Sequence, residues 1–175
     1  RLLRDIDREN IEMAMQTLEA MHHIQLKPGD VGRYVLLLNV ASLGLVLVEA
    51  GWPTLLYRQG VQLGVRSVEV HALMGAALLH VLVVTVALGA LALSVLGGDS
   101  LAIALALACM GCVAAMNLVS GGMRAAGLFG LEAAWQSAGR ALSAVLIALV
   151  VLVPALHDPM WIFAAWALGL LLVLG

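Results

Sequence analysis

The chain has 175 residues, 63% of them hydrophobic and 11% charged, with a mean hydropathy of +1.04. A soluble domain is about half apolar and about a quarter charged, so this composition excludes a water-soluble globule and asks for lipid as its solvent. A formal charge of -2 with no basic block excludes a nucleic-acid partner, since phosphate binding needs clustered Lys and Arg.

Charge is unevenly placed. Arg1, Arg4, Arg8, Lys27 and Arg33 precede Tyr34, and only Arg58, Arg66, Arg124 and Arg140 follow it. This divides the chain into a segment over residues 1–30 and an apolar region over residues 31–175. In the first, Ile11, Met15, Leu18 and Met21 recur at helical intervals among Glu9, Glu12 and Glu19, the pattern of an amphipathic helix that cannot span a bilayer. Lys27, Pro28, Gly29 and Asp30 then mark a boundary, because proline and glycine disfavour continuing a helix.

A spanning helix needs about 20 mostly apolar residues. Five stretches qualify as candidates: Tyr34 to Tyr57, Val68 to Leu96, Leu101 to Gly121, Ala141 to Leu156 and Met160 to Gly175, the last two being short. The expected fold is therefore an all-α polytopic membrane helix bundle. Pro154 is tolerated near a span end, where neighbouring helices can satisfy the carbonyl it frees. Gly97 to Ser100 and His157 to Pro159 read as tight turns, and Gly121, Gly122, Gly127 and Gly130 as a flexible turn beside a short interfacial helix. No signal-peptide pattern is visible, so targeting is expected from the spans themselves. The chain opens on Arg1 and stops at Gly175 inside an apolar run, and is expected to be a piece of a longer protein.

Short cytoplasmic loops carry the excess of Lys and Arg. Arg58 and Arg66 follow the first candidate span, and Arg124 and Arg140 follow the third, whereas the turns at Asp99 and Asp158 hold none. The first span is thus expected to run from outside to inside, with both Arg-bearing loops cytoplasmic. The amphipathic segment then falls outside unless another span precedes it or it lies in the interface. Trp52, Trp135 and Trp161 are placed near the interfaces.

Candidate functional residues are few. Glu49 and the nearby Asn39 lie in the first span, where a carboxylate is expensive enough to suggest an ion site or a cavity wall, unless it reaches interfacial water. Glu69, at the start of the second span, reads as interfacial. Arg58, Arg66, Arg124 and Arg140 together could hold a lipid diphosphate through charge and bidentate hydrogen bonds, or act singly as topology determinants and headgroup anchors. His71 and His80 fall on opposite faces of one helix, and adjacent His22 and His23 diverge, so no metal site is expected. Cys109 and Cys112 share a helical face but lack the setting of a redox motif, and read as packing residues. No catalytic constellation is present in the pattern, which favours a transporter over an enzyme and implies no cofactor.

The stretch LKPGDVGRYVLLLNVASLGLVLVEAGWPTLLYRQG, Leu26 to Gly60, resembles the early segment of polysaccharide flippases in the multidrug, oligosaccharidyl-lipid and polysaccharide exporter superfamily. A Pro-Gly turn and Gly32 precede Tyr34, which opens an apolar helix closing on Gly51, Pro53, Thr54 and Arg58. A second patch, NLVSGGMRAAGLFGLEAAWQSAGR from Asn117 to Arg140, is similar to the loop after that family's fourth helix. The resemblance covers Leu26 to Gly175, in the order of the family's second to sixth spans. It departs at the front, where Glu12, Glu19, His22 and His23 occupy the place of an apolar first span.

The resemblance implies part of a two-lobe transporter of about twelve to fourteen helices. It also implies translocation of an undecaprenyl-diphosphate-linked oligosaccharide across the bacterial inner membrane for polysaccharide biosynthesis. Arg58, Arg66, Arg124 and Arg140 would hold the headgroup, while Glu49 and Asn39 would line the cavity or carry an ion. Membrane lipids and polysaccharide assembly proteins would be its partners. The alternatives are a drug or metabolite antiporter of the same superfamily, or an integral membrane transferase acting on lipid.

Overall fold

A computed structural model describes residues 28–95, 97–153 and 158–175. The expected amphipathic helix over residues 1–23, with His22 and His23, lies outside them. The chain divides into two units, Arg1–Val35 and Leu36–Gly175. Within the first, residues 28–35 are helical; the second builds the bundle.

Every described element is helical. In chain order they are α1 (Pro28–Glu49), α2 (Trp52–Leu63), α3 (Val68–Val95), a 3-10 turn (Gly97–Asp99), α4 (Ser100–Ala125), α5 (Phe129–Val151) and α6 (Pro159–Leu174). Four runs are long and apolar enough to cross a membrane: Val31–Leu63, Val68–Val95, Ser100–Ala125 and Phe129–Val151. By length and composition the protein is thus suited to multiple membrane spans. α6, with 16 residues, is roughly 24 Å long at 1.5 Å per residue, short of a hydrocarbon core of about 30 Å.

Several boundaries differ from the sequence expectation. The first span is not one helix from Tyr34 to Tyr57: residues 28–33 are already helical. It breaks at Ala50 and Gly51, and resumes to Leu63. The third span does not stop at Gly121, since Gly121 and Gly122 are helical and α4 continues to Ala125. The turn is confined to Ala126–Leu128, where Gly127 has φ 73. The fourth span begins at Phe129 rather than Ala141, so the expected interfacial helix is the first half of α5. The remaining termini have ordinary causes. The Ser67 hydroxyl caps α3 by accepting from Val70 N–H at 3.2 Å, and the Asp158 carboxylate caps α6 by accepting from Met160 N–H at 3.0 Å, with Pro159 next to it.

α4 is the centre of the bundle, with half of its apolar window buried against 11% to 22% for the other three runs. It packs on α3, α6, α2 and α5. Gly44 meets Leu107, Glu49 meets Asn117, Pro53 meets Gly121, and Gly60 meets Ala125, so the α1–α2 run lies parallel to α4. Thr85 against Gly111 and Met74 against Gly122 make α3 antiparallel to it. The core gathers Val48, Leu56, Ala77, Val81, Ala114 and Leu118.

Between lipid-solvated helices, association rests on close packing rather than hydrophobic expulsion, so small residues at crossings set the geometry. The α5–α6 crossing is the tightest: a methyl group on Gly169 would sit 2.6 Å from Ser143 Cα and 2.8 Å from its backbone nitrogen. Backbone cannot yield as a side-chain tip does. Gly169→Ala is expected to destabilise the fold by about 1–3 kcal/mol, the usual range for overpacking, read as a lower Tm in detergent. An unchanged Tm would mean that α5 and α6 do not cross there.

Candidate functional site

Polar groups converge where the first run breaks. Ala50 N–H still bonds Val46 O at 3.1 Å, after which Ala50 (φ 43) and Gly51 (φ 78) turn through the left-handed region. Glycine adopts that conformation freely, but alanine does so only under strain. Trp52 and Pro53 then open α2. Proline brings no N–H, so the carbonyl of Glu49 four residues earlier has no helical donor. Gly121 accommodates the break from the α4 side, where a methyl group would lie 3.1 Å from the Pro53 carbonyl oxygen.

The Glu49 carboxylate accepts a hydrogen bond from Asn117 Nδ2 at 2.5 Å, in a half-buried setting and across 68 residues of chain. On the other side of the break, the Trp52 ring lies 5.8 Å from the His80 ring at a tilt of 52°. His80 Nε2 is buried and has no hydrogen-bond partner, an arrangement worth about 1–3 kcal/mol in lost solvation when nothing fills it. The break therefore brings together a carboxylate and an amide, with a buried, unpartnered imidazole nitrogen beside Trp52.

The 12 residues of α2 place Trp52 roughly 18 Å from the loop after Leu63. Trp161, exposed in the first turn of α6, does stand at a helix end. Asn39 is exposed, and ten residues at 100° each put it on a different helix face from Glu49. The structure joins Glu49 to Asn117 instead.

The arginines are not gathered as one loop set. Arg58 and Arg66 are placed at the end of the bundle marked by residues 64–67 and 126–128, Arg58 exposed. Arg124, at the same end and half exposed, pairs with Glu132 at 2.7 Å. Arg140 is a correction to the expected loop: it lies at the midpoint of the 23-residue α5, roughly 16 Å from each end. Its neighbour Gly139 faces Met116 of α4, which puts Arg140 level with Asn117 while its own side chain is exposed. Near the Arg66 end, an apolar cavity of about 280 Å³ is lined by Leu56, Val70, His71, Met74, Gly122 and Met123, among others.

The other sequence candidates stay apart. Glu69 is exposed in the first turn of α3. His71 Nδ1 lies 2.9 Å from Ser67 O in its own turn, whereas His80 faces inward, so the two do not share a ligand. Cys109 is buried and Cys112 half-buried, both with free thiols. Among the described residues no His, Cys, Asp and Glu cluster could hold a metal ion.

Sequence reasoning missed the break, Asn117 and the inward-facing role of His80. The break had a signal, since glycine followed two residues later by proline stops a helix. The pairing of Glu49 with Asn117 had none, because nothing local links positions so far apart. Asn117→Leu should destabilise the bundle by about 1.5–3 kcal/mol, the range for a hydrogen bond to a charged group. Adding Glu49→Leu should recover part of the loss, since the unpaired carboxylate goes with it. Strict additivity of the two changes in a denaturation series would sink the coupling.

Comparison with protein families, with curated proteins and with solved structures finds no match, so the resemblance to polysaccharide flippases rests on the residues quoted for it.

Proposed function

We propose that this protein is a multi-pass membrane transporter, a flippase that moves an undecaprenyl-diphosphate-linked oligosaccharide across the bacterial plasma membrane for polysaccharide biosynthesis. The observation that carries the reading is Arg140, exposed at mid-depth in α5. A guanidinium there costs about 2.5–3.5 kcal/mol on insertion scales if it faces acyl chains. An anion passing along that face would remove the penalty. Arg58 and Arg66, at one end of the bundle, supply the entry field, and Arg140 a second station at mid-depth. Arginine suits this work because its planar fork grips phosphate oxygens in pairs. Arg124 is engaged by Glu132 and contributes after exchanging that partner.

In this reading the Arg58–Arg66 end is cytoplasmic, as short basic loops are, and the step is translocation without covalent chemistry. Lipids and polysaccharide assembly proteins are its partners. An ion-coupled antiporter of the same superfamily is the second reading, favoured by the carboxylate at the helix break.

Two measurements test the proposal. With Cys109 and Cys112 removed, single cysteines at Ser67 and Gly127 should label only from the cytoplasmic side, and those at Ser100 and Asp158 only from outside. The reverse pattern would leave the arginines facing the wrong leaflet. In detergent, Arg140→Gln should weaken undecaprenyl diphosphate binding by about 10- to 150-fold, equivalent to about 1.5–3 kcal/mol for a charged hydrogen bond. Unchanged affinity in a folded variant would remove Arg140 from the path.

A further inference from the structure

We propose that the cavity between α2, α3 and α4 at the Arg66 end holds one acyl chain of an anionic phospholipid, whose phosphate is gripped by Arg66 and Arg124. The lipid is a resident of the bundle and not the cargo of the transport reading. The site needs only the multi-span fold.

Small residues make the cavity, about 280 Å³ in volume. Gly122 lines it, and a methyl group there would meet Met74 Cε at 2.9 Å. Leu56 and Val70 are buried at its floor, and His71, Ala126 and Leu128 are exposed at its mouth. At about 30 Å³ for a group the size of water, the volume takes roughly nine such groups, a stretch of one alkyl chain. Water is a poor filling, because it needs two to four polar partners. The one polar side chain in the lining, His71, has Nδ1 turned to Ser67 O at 2.9 Å.

The charges beside the cavity fit a phosphate. Arg66 follows the lining residue Val65, and Arg124 stands between the lining residues Met123 and Ala125; both arginines are exposed. Glu132 holds Arg124 through Nε at 2.7 Å, which leaves the terminal N–H groups for phosphate oxygens. Glu69, the other described carboxylate at this end, lines a separate groove with Leu55, Gln59, Leu63 and Leu73. An apolar slot beside two arginines suits an anion with a tail, at the level where anionic headgroups lie. Among the described residues α5 contributes nothing to the lining, so the slot lies apart from the Arg140 face. That separation favours a bound phospholipid over the isoprenoid carrier, although Arg66 belongs to both readings.

The test reconstitutes the full chain in phosphatidylcholine vesicles with a trace of phosphatidylglycerol bearing a diazirine on one acyl chain. After photolysis, labelled residues are mapped by peptide mass spectrometry, with phosphatidylcholine bearing the same chain as the comparison. Labels should concentrate on Met74, Val119 and Met123, and the anionic probe should label them about tenfold more than the zwitterionic one. Ala126→Phe, which fills the mouth, should abolish this labelling and leave that of the outward Leu79 and Val83 unchanged. Arg66→Gln combined with Arg124→Gln should make the two probes equal. If Ala126→Phe does not fold, the arginine pair decides alone. Equal labelling of the native protein by both probes, or labels spread along α3 without enrichment in the cavity, would overturn the proposal. Displacement by undecaprenyl phosphate at far lower concentration than by phosphatidylglycerol would assign the cavity to the carrier and overturn it too. Cavity labelling does not involve Arg140, so its failure leaves diphosphate binding there standing.

Discussion

A helix surrounded by lipid gains nothing by expelling water from its neighbours, so packing distance decides which helices stay together. In this bundle that constraint falls on α4. Its faces present Ala106, Gly111, Ala114, Gly121 and Gly122 to three neighbours. A bulkier α4 would hold α3 away at Thr85 and α2 away at Pro53. Where α4 carries a large residue at a close approach, as at Leu107 and Met116, the neighbour supplies the glycine, Gly44 and Gly139. α5 and α6 repeat the device at Ser143 and Gly169, where the Ser143 hydroxyl also donates to Trp166 O at 3.2 Å.

The polar site depends on this packing. An interrupted helix is tolerable in a low-dielectric setting only where other parts of the protein surround it, since each unpaired backbone group costs several kcal/mol against hydrocarbon. Gly121 lets Pro53 rest on α4, and four residues earlier on the same face Asn117 meets Glu49. One helical turn of α4 thus both seats the kink and supplies a hydrogen bond to the carboxylate beside it. The strain at Ala50 is held from outside the break, as strained backbone at functional positions usually is.

Helix content was readable because hydropathy integrates over many residues: α3 lies within one residue of its expected end, and α6 within one of its start. The continuity of the first half of α5 with the span after it was not, for an informative reason. Glu132, Gln136, Ser137, Gly139 and Arg140 look like a separate interfacial stretch ending in a loop when polar and small residues are scored against a span. Inside a bundle those residues are compatible with helix, because their groups find partners across it: Gln136 Nε2 donates to Ser120 Oγ at 2.6 Å, and Glu132 pairs with Arg124. Such partners come from α4 and are invisible in a local window.

The exposed surfaces of the bundle are of two kinds, and the difference bears on what covers them. On α3 the outward residues include Leu79, Leu82, Val83 and Val86, a continuous branched apolar face suited to acyl chains. The outward side of α5 carries Ala133, Ser137, Arg140, Ala141 and Ala144, a stripe of small side chains around one guanidinium, flanked by the exposed Phe129, Val145 and Leu149. Acyl chains gain little from small residues and cannot solvate a charge at that depth, whereas another helix can approach small residues closely and an aqueous path can solvate the guanidinium. The two faces are therefore made for different solvents. On the transport reading, the α5 face is the one turned toward the translocation path, and the α3 face the one turned toward the bilayer.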